Sequence, residues 1–229
     1  MALLRRRLQW SDVCMYNDIV EEATTVEVTA TTACVELSWI PLGAGNSVVR
    51  ANGKVFEAIS SAVHRGRKAD IYHSVLQVAA GNDRYTIEMA PTPDSHGEQR
   101  GVVGTGSVGL RWLGRFRIFR YENRCWRNGV IPDLATSVSS TRMPTSSETA
   151  QRLVDLTASV PTPVWGRDEL RTGEMWNSNS VISWLLIRSG IGVDGIVPPP
   201  NGRAPGWKAG VTIADREGPC DESSSNHGR

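Results

Sequence analysis

In the first half of this 229-residue chain, apolar and polar positions mostly alternate with a period near two. In the second half they shift to helical spacing. Val26 to Ile40 is dense in β-branched residues and predicts one or two strands, ended by Pro41. Ser47 to Ala58 carries Asn52-Gly53 between apolar stretches and predicts a hairpin. A second hairpin is expected over Ile71 to Pro91, turning at Gly81-Asn82. Its first strand sets Ile71, His73, Val75 and Gln77 on one face and Tyr72, Ser74, Leu76 and Val78 on the other. If Ala80 pairs with Asp83, Val75 lies opposite Glu88 and His73 is diagonal to that carboxylate; a slip of one residue destroys the relation. Residues 92–107 read as a long loop with a short strand at Val102-Val103 and a surface histidine, His96. Arg111 to Glu122 predicts a strand, with Arg115 and Arg117 alternating against a core-facing Phe116 and Ile118.

Thr145 and Glu148 form a capping-box pattern. Ala150, Leu153, Val154, Thr157 and Val160 then mark one face of a helix over 147–160, stopped by Pro161 and Pro163. One helical turn is expected at Arg167 to Arg171. In Trp176 to Gly190, Val181, Ile182, Leu185 and Leu186 recur at helical spacing. Asn177, Ser178 and Ser180 crowd its start and Gly190 sits where it should end. Next comes a Pro- and Gly-rich irregular loop anchored by Trp207, then a polar tail over 215–229 expected to be disordered. Residues 1–24 are weakly patterned and read as an arm. The pattern as a whole gives a single α+β domain over 25–214.

Composition narrows the chemistry. A net charge of +1 gives no overall field that recruits nucleic acid or anionic lipid. The basic turn His64-Arg65-Gly66-Arg67-Lys68 reads as solvated surface. Cys14, Cys34, Cys125 and Cys220 form no CxxC pair, which fits a reduced, cytoplasmic protein and argues against a zinc site. The four histidines supply no ligand pair at helical spacing, so no metal is expected, and Leu42-Gly43-Ala44-Gly45 lacks a nucleotide-binding fingerprint, so no cofactor is expected. Arg5-Arg6-Arg7 resembles the start of an export signal, but Asp12, Asp18, Glu21 and Glu22 break up any apolar segment after it. No apolar run is long enough to span a membrane.

A strand histidine, a carboxylate on the neighbouring strand and a hydroxyl at a helix N-terminus are the groups acyl transfer needs. In this order, with Asn177-Ser178 opening the late helix, the chain resembles the circularly permuted papain-like proteins. These belong to the NlpC/P60 superfamily, with its lecithin:retinol acyltransferase-like branch. The resemblance implies a small antiparallel sheet packed against helices, with His73 as the catalytic histidine, Glu88 as the third member and Ser178 as nucleophile, where most of the family has cysteine. The expected function is a hydrolase or acyltransferase acting on an amide or ester of a small-molecule, acyl or peptide substrate. Backbone N–H groups at 178–180, with Asn177 or Asn179, would hold the oxyanion. Ser180 is the competing hydroxyl, two residues away and so on another side of the helix. Trp165, Trp176 and Trp207 would wall a substrate cleft, with Trp184 deeper along the helix. The alternative is a non-catalytic binding or interaction protein that keeps the fold, its arginines between Arg111 and Arg120 gripping carboxylates or phosphates of a partner.

Overall fold

The computed structural model describes residues 33–42, 70–92 and 100–218. The expected arm at 1–24, the hairpin at Ser47 to Ala58, the basic turn at 64–68 and His96 lie outside the described residues.

A six-stranded antiparallel path forms the sheet. Its strands are β1 (Ala33–Pro41), β2 (Asp70–Ala80), β3 (Asp83–Pro91), β4 (Val102–Ser107), β5 (Arg120–Arg127) and β6 (Ser139–Thr145), in the order β4-β5-β3-β2-β1-β6. A two-residue strand, β7 (Gly202–Arg203), pairs in parallel with the start of β2. The β2–β3 hairpin has the expected register, with Ala80 opposite Asp83 across a turn in which Gly81 takes φ 59°. Pro41 closes β1, where its missing N–H can no longer serve a ladder.

Three helices cover one face of the sheet: α1 (Ser147–Leu156), α2 (Ser178–Ser189) and α3 (Trp207–Glu217). The faces follow from period two. Val35, Leu37 and Trp39 of β1, Tyr72, Leu76 and Val78 of β2, and Ile87 and Met89 of β3 share a core with Leu153, Ile182, Leu185 and Ile213 from the helices. Ile40 and Val75 point to the other face and meet Ile131 and Leu134 in a small separate cluster. α2 is buried nearly all round, from Ser178 to Leu186, because it packs on β2 and β3 while α1 and α3 flank it. Its start and stop are those expected. Asn177 caps it in a reciprocal box with Ser180, and Gly190 ends it at φ 91°, a conformation that costs glycine nothing.

Several expectations are corrected. The N-cap of α1 is Ser146, whose hydroxyl accepts from the Thr149 N–H at 3.0 Å; Thr145 is taken up as the last residue of β6, opposite Ala33. The helix itself gives way at Thr157 to a 3-10 turn. No helical turn forms at Arg167 to Arg171, because the Asp168 carboxylate accepts from the Thr172 and Gly173 N–H groups and fixes a tight turn instead. Cys125 lies within β5 and not in a turn. Arg111 to Phe119 is two 3-10 turns and not a strand. Trp207, packed on Trp39 at the end of the loop, also opens a helix that the sequence did not suggest; that helix runs to Glu217, so residues 215–217 are ordered by it.

Candidate functional site

The polar start of α2 is where the sequence placed the chemistry, and its side chains are engaged in holding three elements together. The Asn177 carbonyl oxygen accepts from the Asn179 N–H at 2.9 Å, and its amide nitrogen donates to Pro205 O at 2.8 Å. Asn179 donates to Tyr72 O at 3.0 Å and Pro205 O at 2.9 Å, and its oxygen accepts from the Ser74 hydroxyl at 2.9 Å. The Ser180 hydroxyl donates to Gly206 O at 2.7 Å, and Ser183 donates to Trp207 O at 2.8 Å. These bonds tie α2 to β2 on one side and to the loop entering α3 on the other. Ser178 is buried, and its hydroxyl makes no hydrogen bond among the described residues.

The structure does not bring His73 to this cluster. Ser74 faces the helix start, so His73, one residue earlier, points to the opposite face with Val75, and the sheet stands between its ring and Ser178. The ring is half-buried, and desolvation pushes its pKa down to about 4. Glu88 shares the far face, as the register requires, but its carboxylate accepts from the Arg124 guanidinium at 2.8 Å. Arg124 also bridges to Glu122 at 2.9 Å, and Arg100 reaches Glu122 at 3.3 Å, so Glu88 belongs to a buried ionic cluster. Desolvation, and no carboxylate, accounts for the His73 shift.

The tryptophans are largely core. Trp176 and Trp184 are almost fully buried, Trp184 donating to Glu217 at 2.9 Å. Trp165 is buried edge-on to Tyr121, centroids 5.9 Å apart, and Trp207 packs at 5.3 Å from Trp39. Tyr121 donates to Pro163 O at 2.8 Å; burial, with Glu169 adding to it, pushes its phenol well above the ordinary value, so it remains a donor. Burial likewise pushes the Cys125 thiol up, which leaves it a poor nucleophile.

An open cleft of about 300 Å³ lies elsewhere, lined by Thr105, Ser107, Arg111, Arg120, Thr162 and Val164 together with Gly106 and Gly114. It sits under the excursion joining β4 to β5. Arg120 donates to Gly114 O and to Arg115 O, which folds the two 3-10 turns back over the strand. Arg111 bridges to Glu169 at 2.9 Å yet keeps 80 % of its side chain exposed. The Arg115 guanidinium lies 5.0 Å from the Trp112 ring and 4.8 Å from Phe116. Neither 3-10 turn has a buried residue. Leu110, Trp112, Phe116 and Ile118 are exposed by 38, 57, 47 and 44 %. Phe116 and Ile118 therefore face solvent and not the core, against the period-two expectation.

Strand periodicity hides this cleft, although two signals of it are present in the sequence. No Asp or Glu occurs from Gly101 to Tyr121, a span holding Arg111, Arg115, Arg117 and Arg120 in a chain of net charge +1. Gly109 and Gly114 also interrupt the apparent strand. Among the described residues no group of His, Cys, Asp and Glu is arranged to hold a metal ion, and no helix is long and apolar enough to cross a membrane. No protein-family model, curated protein or solved structure matches the chain.

Proposed function

We propose that this protein is a non-catalytic binding or interaction protein, retaining a permuted papain-like arrangement, that takes an anionic partner at the β4–β5 excursion and its cleft. The carrying observation is that Arg111, Arg120 and three hydroxyls line an open cleft with no carboxylate on its wall, and that Arg111, though paired with Glu169, keeps 80 % of its side chain exposed. Guanidinium groups bind carboxylates and phosphates as two-pronged donors, and Thr105, Ser107 and Thr162 add neutral donors to the same ligand. The papain-like arrangement is supported by an antiparallel sheet whose central strand β2 meets the N-terminus of the late helix α2. The side chain meeting that helix start is Ser74, which has no basic function. Titration calorimetry with inorganic tripolyphosphate tests the reading. Saturable binding that weakens in Arg111→Gln and Arg115→Gln supports it, and no heat with either tripolyphosphate or an acidic peptide overturns it.

The hydrolase or acyltransferase reading has one supporting feature, the Ser178 hydroxyl at the first turn of α2, unbonded among the described residues. It needs a base other than His73. Fluorophosphonate labelling of the protein, abolished in Ser178→Ala, would establish it; an unlabelled protein leaves the binding reading alone.

A further inference from the structure

We infer that the partner is an anionic phospholipid surface, with Trp112 and Phe116 entering its interface while arginines meet the headgroups; this rests on the anionic-partner reading above. Among the described residues eight large hydrophobic side chains are exposed. Four of them, Leu110, Trp112, Phe116 and Ile118, fall between β4 and β5. Their concentration in one region is what a partner with an apolar layer behind a charged layer would use. Aromatic and aliphatic side chains beside arginine are the composition of segments that lie in a bilayer interface. The charges are complementary: Arg111, 80 % exposed beside its Glu169 partner, and Arg115 carry positive charge in a segment that itself holds no carboxylate between Gly101 and Tyr121, against lipids of negative surface potential.

Two details favour lipid over a single-stranded nucleic acid, the other polyanion that arginine and aromatic rings could bind. Base stacking uses ring faces, and the Arg115 guanidinium already takes one face of both Trp112 and Phe116. A nucleic acid would also leave Leu110 and Ile118 wet, whereas acyl chains dehydrate aliphatic and aromatic groups alike. The cleft beneath, with Arg111, Arg120, Thr105 and Ser107 on its walls, has room for the phosphate of one headgroup. Because the two 3-10 turns bury none of their own residues, substitutions at their tips leave the core intact.

The test is flotation of the full chain with vesicles of phosphatidylcholine alone or with about a third phosphatidylglycerol, run beside a labelled oligouridylate and tripolyphosphate. Binding is expected to the anionic vesicles only and to fall with added salt. It should drop about fivefold for each of Arg111→Gln and Arg115→Gln, the weight of one basic residue near such a surface. The Trp112→Ser/Phe116→Ser variant is expected to lose vesicle binding yet keep tripolyphosphate binding, with unchanged circular dichroism. Tripolyphosphate binding without vesicle binding would overturn the lipid assignment and leave the anionic reading standing. Oligouridylate bound more tightly than the vesicles would overturn it in favour of nucleic acid, and binding to none of the three would overturn both.

Discussion

Removing the Asn179 side chain tests whether the polar start of α2 is scaffold. In Asn179→Ala, the Pro205 carbonyl keeps the Asn177 amide as a donor at 2.8 Å. Tyr72 O loses its 3.0 Å donor, and the Ser74 hydroxyl, fully buried, loses its 2.9 Å acceptor. A buried polar group left unpaired costs about 1–3 kcal/mol, and the cavity adds to this, so a loss of about 2–4 kcal/mol is expected. Against a total stability of about 5–15 kcal/mol that is a large fraction. With a urea dependence of about 2 kcal/mol per molar, the unfolding midpoint should fall by about 1–2 M. Ser74→Ala added to Asn179→Ala should cost little more, since the bond is already gone, and the double-mutant cycle reads that coupling. A midpoint shift below about 0.3 M, or strictly additive effects, would refute the reasoning.

Other expectations rest on single contacts. A Cβ at Gly210 would clash with the Ser180 carbonyl oxygen, so Gly210→Ala should destabilise by about 3 kcal/mol or prevent folding, read by thermal denaturation. Because the folded pKa of His73 is depressed to about 4 from 6.5, the unfolded chain takes up the proton first as pH falls; stability should decline between pH 6.5 and 4 and then level off. The His73 share is at most about 3 kcal/mol at 1.36 kcal/mol per pH unit, less as far as its exposed part stays solvated, and His73→Gln should flatten that part of a pH-resolved unfolding series. Tyr121→Phe should cost about 1–2 kcal/mol by orphaning Pro163 O, and a Tyr121→Phe midpoint equal to the parent's would count against that bond.

Local order is what the chain makes legible. Period two sets the two faces of β2, and Gly81-Asn82 sets the hairpin register; Asn177, Ser180 and Gly190 bound α2. The side of the sheet on which α2 packs is a long-range choice that alternation alone leaves open. Tyr72, Leu76 and Val78 make the more apolar face, and weighing that against His73 and Gln77 points to Ser74 as the residue meeting the helix. The arginine segment mimics a strand because alternation also occurs where side chains splay from 3-10 turns, and only the glycines distinguish the cases. The helix α3 is hard to see in the sequence because it begins just after Pro205-Gly206, a pair that reads as loop. Its order comes largely from outside its own residues, through packing on α2.

Gly206 and Gly210 lie against Asn177 and Ser180, so the cap of α2 is completed by chain almost thirty residues downstream. On a ribosome the sheet and α2 emerge first, and the Pro205 and Gly206 carbonyls that accept from Asn177, Asn179 and Ser180 come later. Until then a buried helix start holds unmet donors against the strand it must pack on. The domain should therefore close late and as a unit, with α3 and the loop entering it acting as the latch. A stop codon before Pro205 should yield a chain that is synthesised but stays protease-sensitive, while one placed after Gly218 should not.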